Sequence, residues 1–552
     1  MPSGMLAALI LSHAANSPYV QSGDCSVLNP LRRRLEAMTH IANKQQLLRS
    51  ILSGWLSLAA EIAVALLLTP YIIAKLGAAT YGVWSLMISV IGYLGLIDVG
   101  IRGSVGRYIN HYLARNDQRA LNEVVGTSTV VLSALSLLAG AAAYALGNNF
   151  STIFPKTPAE LQGDIRLALP LLAIGLWLSF ISSILSNLLA AKEALYLTNA
   201  YNLVVLLLRS GAIYWALGHN HGIDALVVIT LCSSALGALL SLWSVRRAYA
   251  GEKLEFLCFS LERLKKIWRF GLAAFVGRSA STMANDSAPI IGMWILGPEA
   301  VAIYSVAMML TQNARRALEQ ASNAVFPSVM KAGAIHDLPG LRGLFIRFMD
   351  IGFAIGSLIF LGLAFFSGDF LKLWVGPLYQ EGSSTVAILA LGYLLGSIAS
   401  TGPLSLASLD HVNTTMRISL AEAILCIVLT AALPGLFGLG LAGMALGSTL
   451  PRLITGCAVY PWLSIHYLGA ELAPTMRAGL QRNLYFAGLI ACCFWLIAAL
   501  RPSAESWSAF FITVILATLA YLMIVASRYR DLPLIGTLTN RIRPWLPWIS
   551  KP

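Results

Sequence analysis

Fourteen apolar segments of about twenty residues, separated by short polar loops, run between residues 51 and 527 of this 552-residue chain. As a helix, each is about long enough to cross a ~30 Å hydrocarbon core, where every backbone N–H and C=O must be satisfied within the segment. The pattern predicts an all-α polytopic membrane protein with about 14 transmembrane helices. Composition agrees, because only 11% of residues are charged against roughly 25% in soluble domains. The net charge of +13 does not mark a nucleic-acid surface. Its cations are spread through short loops on alternate sides of the spans, where positive charge sets orientation.

Arg102, Arg107, Arg115 and Arg119 follow the second span, and Arg246, Arg247, Lys253, Arg263, Lys265, Lys266 and Arg269 follow the sixth. Lys331, Arg342 and Arg347 follow the eighth, and Arg528, Arg530, Arg541 and Arg543 follow the last. Opposite loops hold few cations, among them Lys156, Lys372 and Arg501. Both termini are therefore expected to be cytoplasmic.

An internal echo fixes the architecture further. Within the stretch Leu66–Ile109, Leu76-Gly77 and Val83-Trp84-Ser85 return 220 residues later as Leu296-Gly297 and Ile303-Tyr304-Ser305, and Pro70 falls near Pro289. Six spans separate the copies, so the halves are expected to be parallel six-helix repeats, with two further helices at the C-terminus. The expected division is a cytoplasmic N-terminal segment over 1–48 with no folded domain, a first lobe over 49–247, a linker over 248–268 and a second lobe over 269–462. Two additional helices over 463–527 and a basic cytoplasmic tail over 528–552 follow. Met5–Leu11 is too short to span and lacks a basic flank before it, which argues against a signal peptide. Met38, just ahead of the first span, is an alternative start that N-terminal sequencing finding Met1 would rule out. In the linker, Leu254, Phe256, Leu257, Phe259 and Trp268 alternate with Lys253, Lys265 and Lys266. It reads either as an interfacial segment on anionic headgroups or as a packed inter-lobe loop.

Ionisable side chains inside spans are costly and mark pathways or partners. In the seventh span Arg278, Thr282, Asn285 and Asp286 fall at i, i+4, i+7 and i+8, on one helical stripe. A guanidinium at that depth suits bidentate capture of a phosphate or diphosphate; the plainer reading is local charge neutralisation. Glu61 shares a stripe of the first span with Ser50, Ser53 and Ser57. Coupling to H+ or Na+ through Glu61 or Asp286 competes with a protonated structural acid. Arg209 follows Thr198 and Asn202 in the fifth span and faces either a cavity or the far interface. Arg315 and Arg316 accompany Glu319 in the eighth span, where Arg315 and Glu319 are one turn apart. Asp98 and Arg102 have the same spacing and read as a helix-end anchor, while Asp350 and Glu422 are weaker candidates near span ends. Arg452, after Pro451, is a deep cation of the second half.

No GxxxxGK[ST] loop, DxD pair, GxSxG elbow or HExxH pair occurs, and the seven cysteines form no CxxC pair. The pattern points to a secondary transporter without metal or cofactor rather than to an enzyme.

The stretch PYIIAKLGAATYGVWSLMISVIGYLGLIDVGIRGSVGRYI resembles the first-repeat signature of Wzx-type polysaccharide flippases, within the multidrug, oligosaccharidyl-lipid and polysaccharide exporter superfamily. PIIGMWILGPEAVAIY at Pro289–Tyr304 is similar to the family pattern between spans seven and eight. The resemblance implies a V-shaped bundle in the bacterial inner membrane that alternates between inward- and outward-open states. It implies an undecaprenyl-diphosphate-linked oligosaccharide as cargo, a cationic central cavity, and polymerase and chain-length proteins as functional partners. Intramembrane position and charge place Arg278 first for the cavity, with Arg209, Arg315, Arg316 and Arg452 behind it. Two rivals share the superfamily: a multidrug or metabolite antiporter, which would favour acids and aromatics in its cavity, and a lipid II flippase. A polysaccharide polymerase would need a large exterior loop, and the exterior segments near 147–165 and 368–383 are short.

Overall fold

The computed structural model describes residues 28–323, 326–397, 402–409, 411–500 and 505–528, and among these no strand occurs. The apolar stretch Met5–Leu11 and the tail beyond Arg528 lie outside the described residues. Helix α1 (Leu28–Leu76) has 49 residues, a length of about 73 Å at ~1.5 Å per residue. It therefore projects well beyond the apolar layer, beginning inside the segment that the sequence leaves without a folded domain. Helices α2 (Ala78–Leu94) and α3 (Leu96–Ala114) form the second span. Helices α4 (Gln118–Asn148), α5 (Gln162–Ala191), α6 (Leu195–Gly218) and α7 (Ile223–Ala248) complete the first half.

The second half contains α8 (Leu261–Ile295), α9 (Pro298–Asn323), α10 (Leu338–Trp374), α11 (Ser383–Gly396), α12 (Val412–Leu436) and α13 (440–468). Helices α14 (Leu472–Leu500) and α15 (Trp507–Arg528) follow. Among the described residues nine helices are individually long and apolar enough to cross a membrane. The α2–α3 pair, α8, α9, α11 and α13 have shorter apolar runs or more charge, and they complete the set of about fourteen.

The repeat is structural as well as sequential. Gly77 (φ +81°) and Gly297 (φ +100°) each turn the chain from one span into the next through the left-handed region, where a Cβ is strained. Trp84 and Tyr304, the paired aromatics, are both buried. A further correspondence lies at the other end of the second span of each half. Asn116 and His336 both have positive φ, and the next residues, Asp117 and Asp337, cap α4 and α10 by accepting from Ala120 N (3.0 Å) and Gly340 N (2.9 Å). All four pairs keep the same sequence offset.

The cores show how the halves meet. One cluster draws on both, packing Ile73, Tyr81, Val83 and Trp84 with Met293, Val301, Ile303 and Trp374. At this end Trp374 Nε1 donates to the carbonyl of Leu66 (2.6 Å), and Lys156 reaches across to the carbonyl of Ile295. At the opposite, arginine-rich end the cores separate. Val105, Tyr112, Leu121 and Leu188 belong to a cluster dominated by the first half, whereas Phe345, Met349, Phe353 and Tyr460 belong to one confined to the second half and the final helices. The two halves thus share one core at one end, while at the basic end each has its own and α8 alone stays packed along α3.

The seams between the halves are unequal. Helix α8 lies along α2 and α3, whereas α1 and α9 meet only briefly. Helices α14 and α15 pack on α10, held by Asp350, which accepts from Arg482 (2.5 Å) and Asn483 (3.0 Å), and by Tyr521, whose hydroxyl donates to Ala354 O (2.8 Å). Asp350 therefore fastens the final helices to the second half.

Residues 251–260 carry no regular helix. Their inner side is fastened to α4: Gln118 and Asn122 donate to Lys253 O, Thr127 Oγ1 accepts from Ser260 N (2.9 Å), and Arg263 pairs with Glu123 (3.0 Å) over the Tyr112 ring. Leu257, Phe259 and Trp268 remain exposed on the outer side. In the first turn of α8 the Lys266 ammonium holds the Glu262 carboxyl below the usual carboxylate range.

Candidate functional site

Among the described residues a polar cavity lies within the apolar bundle in each half. The first-half cavity, of about 400 Å³, is bordered by Glu61 of α1, Arg102 of α3, Tyr201 and Arg209 of α6, serines of α5, and Thr230 of α7. Arg209 donates to Thr230 Oγ1 (3.2 Å), so this guanidinium turns into the bundle rather than toward the far interface. Arg102 pairs with Asp98 (2.5 Å) and is still half exposed on the cavity side, whereas Asp98 is buried and also accepts from Ser183 (3.3 Å). The pair does anchor the helix, as its spacing predicts, but Arg102 also presents charge to the cavity. Serines 50, 53 and 57 of α1 are used differently: Asn199 of α6 donates to Ser53 Oγ (2.9 Å) and to the Ser50 carbonyl (3.4 Å), and its own carbonyl accepts from Ser57 (3.4 Å), so these residues join α1 to α6.

The second-half cavity, of about 250 Å³, is bordered by Arg315 and Glu319 of α9, Tyr393 of α11, Glu422 of α12 and Arg452 of α13. Two guanidiniums flank one aromatic ring. Arg452 lies 4.8 Å and Arg315 5.7 Å from the Tyr393 centroid, within the ~6 Å range of a cation–π contact. Arg315 pairs with Glu319, and Arg452 lies 3.9 Å from Glu422, whose other oxygen accepts from Thr455 Oγ1 (2.6 Å). Both arginines of this cavity keep a nearby carboxylate, which reduces the cost of burying them.

Two π-helical turns flank this second cavity, at Ser357–Leu361 in α10 and at Thr455–Val459 in α13. Such turns add a residue locally and re-aim side chains, often at functional sites. The α10 turn sends Phe360 to the polar cavity, whereas its neighbours Leu358 and Ile359 line an apolar groove of about 460 Å³ on the other side. That groove also receives Ile62 and Leu66 of α1, Ala314 of α9, Phe494 of α14 and Val514 of α15. It lies at the loose α1–α9 seam.

Among the sequence candidates, Glu61 and Arg209 thus come together in the first half, and Arg315 and Arg452 in the second. Arg316 is exposed and borders neither polar cavity, because one residue along a helix turns the side chain by about 100° from Arg315. Thr282 is half-buried and borders neither, although its neighbour Ser281 borders the second. Asp286 lies in electrostatic reach of Tyr93 at the α2–α8 seam. The side chains of Arg278 and Asn285 lie outside the described residues. Sequence reasoning missed Tyr393, a single aromatic in an apolar run, and read Arg102 only as an anchor. Among the described residues no group of three or more His, Cys, Asp or Glu side chains is placed to hold a metal ion.

Comparison with known proteins places this geometry. The model of the polysaccharide biosynthesis protein family matches residues 47–332, more than half of the chain. The chain belongs to this family. The chain is similar to the "Putative O-antigen transporter" of Shigella flexneri, at 25% identity over 390 residues covering 70% of this chain and 90% of that protein. It is 20% identical to the "Uncharacterized membrane protein EpsK" of Bacillus subtilis (strain 168), over 78% of this chain and 83% of that protein. Among solved structures, lipid II flippase MurJ in an inward closed conformation has a TM-score of 0.65 at 15% identity, covering 88% of this chain and 99% of that one. An inward-facing multidrug resistance MATE family transporter of the MOP superfamily has a TM-score of 0.61 at 13% identity, covering 75% and 95%. This family member is a multi-pass membrane protein with the fold of these transporters.

Proposed function

We propose that this transporter carries undecaprenyl-diphosphate-linked oligosaccharide units from the cytoplasmic to the periplasmic leaflet of a bacterial inner membrane. The observation that carries this reading is the pairing of cation-bearing polar cavities with an apolar groove at the loose seam. A diphosphate headgroup crossing lipid unaided faces a large desolvation cost, which fixed cations in a polar, water-accessible cavity reduce. The polyprenyl tail can stay in the groove beside α14 and α15 while the headgroup enters between the halves. Rocking of the halves, closing the basic end and opening the sealed one, then changes the side to which the headgroup is presented. The basic end faces the cytoplasm in this reading.

The test is deletion of the gene, with the lipid-linked oligosaccharide followed in cells. The expected result is accumulation of repeat units on the cytoplasmic leaflet and loss of surface polymer, both reversed by the wild-type gene. Unchanged polymer together with raised drug susceptibility would instead identify an antiporter.

We also propose that Glu61, exposed on the first-half cavity, couples transport to an H+ or Na+ gradient. Glu61→Gln is expected to leave cargo binding within about threefold while removing the dependence of transport in proteoliposomes on the imposed gradient. A variant that still follows the gradient refutes this role.

A further inference from the structure

The two polar cavities differ in hydrogen-bond character, and the difference divides the work of binding. In the first-half cavity most hydroxyl protons are already committed to helix carbonyls. Ser179 donates to Gly175 O (3.0 Å), Ser182 to Leu178 O (3.0 Å), Ser233 to Ile229 O (2.6 Å) and Ser234 to Thr230 O (3.1 Å). A hydroxyl whose proton is so used still has lone-pair capacity as an acceptor. The α5 and α7 walls of this cavity therefore present oxygen acceptors, with the Glu61 carboxylate on the same cavity. A wall of that kind repels a diphosphate and accepts protons donated by sugar hydroxyls. Arg102 and Arg209 supply donors on the same cavity, Arg209 from beside the α7 wall, which is the mixed polarity a neutral polyol needs.

The second-half cavity offers concentrated donors instead. Arg315 and Arg452 both lie within ~6 Å of the Tyr393 centroid, and both arginines are mostly buried, so the local dielectric strengthens their pull on an anion. This cavity is also back to back with the apolar groove. Ala314 of α9 and Ile359 of α10 line the groove, and the next residues, Arg315 and Phe360, line the cavity. In a polyprenyl diphosphate the phosphates are joined directly to the lipid chain. A tail held in the groove leaves its diphosphate within reach of the cavity beside it, and the glycan beyond.

We infer that the headgroup is read in two parts: the Arg315–Tyr393–Arg452 cavity takes the diphosphate, and the acceptor-walled first-half cavity takes the sugars. This inference rests on the lipid-linked cargo proposed above, and adds which half sets glycan preference. Specificity among repeat units would then reside on α5 and α7.

The experiment uses the purified full-length protein in detergent and two probes: undecaprenyl diphosphate, and undecaprenyl diphosphate bearing a trisaccharide, each titrated by native mass spectrometry. The quantity read is the ratio of the two affinities. In Ser182→Ala/Ser233→Ala the preference for the glycan-bearing probe is expected to fall about tenfold, about 1.4 kcal/mol. In Arg452→Gln/Glu422→Gln both affinities should fall by tenfold or more with their ratio held. Variants are compared at wild-type thermal unfolding temperature, and Ser182→Thr/Ser233→Thr, which keeps the acceptors, should restore the preference. A serine variant that leaves the ratio unchanged, or an arginine variant that lowers only glycan-bearing binding, overturns the division while leaving the cargo reading intact. Failure of the wild type to bind either probe overturns the cargo reading and the division with it.

Discussion

Arg452→Gln is expected to abolish rescue of a deletion strain, lowering transport at least tenfold at normal membrane levels. Arg452 is the deep cation of the second half, with a side chain only 17% exposed, and it lies on the Tyr393 ring ahead of the α13 π-turn. Its removal takes away one of the two donors available to an anion there. It also leaves Glu422 buried beside an uncharged neighbour, and breaking a buried pair in this way costs about 3–5 kcal/mol of stability. The double variant Arg452→Gln/Glu422→Gln separates the two effects. It should recover most of the lost thermal stability, read as unfolding temperature in detergent, while transport stays low. If the double variant recovers transport together with stability, Arg452 serves only to neutralise Glu422 and the cavity does not bind cargo through it.

The second large effect concerns the sealed end. A Cβ at Gly82 would lie 1.9 Å from the carbonyl oxygen of Pro298, much closer than van der Waals contact. The contact joins α2 of the first half to α9 of the second, and both partners are backbone, so no side-chain rotation can relieve it. Gly82→Val should therefore hold this end apart. The expected result is loss of transport together with strong labelling of Val301→Cys, buried in the wild-type seal, by a membrane-impermeant maleimide applied from outside. Native cysteines are replaced for this measurement. Labelling as slow as in the Gly82 parent, with transport retained, would show that the halves can close at a different spacing.

Much of the architecture was legible because it depends on average properties. Apolar run length marked the spans, and the Leu-Gly and aromatic echoes at 76–85 and 296–305 marked the repeat. The matching helix caps at Asp117 and Asp337 escaped notice. Beyond the aspartate only scattered small or apolar residues match, such as Ala114 with Ala334, and the positive-φ residue before it is Asn in one copy and His in the other. The site was legible in part for a different reason. A charge in an apolar run announces that it has a partner, and Arg209, Arg315 and Arg452 do line cavities. Which partner it has depends on helix rotation and tertiary neighbours. Adjacent Arg315 and Arg316 are equivalent in the sequence and diverge in space. Tyr393 carries no signal at all until two arginines from different helices arrive on its faces.

The uneven distribution of the cores also sets a resting preference. Opening the sealed end would bring water onto Ile73, Tyr81, Trp84, Met293 and Val301, which now bury one another, at about 25 cal/mol for each Å² of apolar surface wetted. At the basic end less apolar surface is shared between the halves, because each has its own core there and α8 alone is packed on α3. Opening the sealed end therefore costs more apolar surface than loosening the α1–α9 seam. The excursion to the other state is uphill until an occupant draws the basic ends of the two halves together. A carrier biased in this way idles little when unloaded, so the placement of its oily side chains limits futile cycling rather than setting the direction of transport.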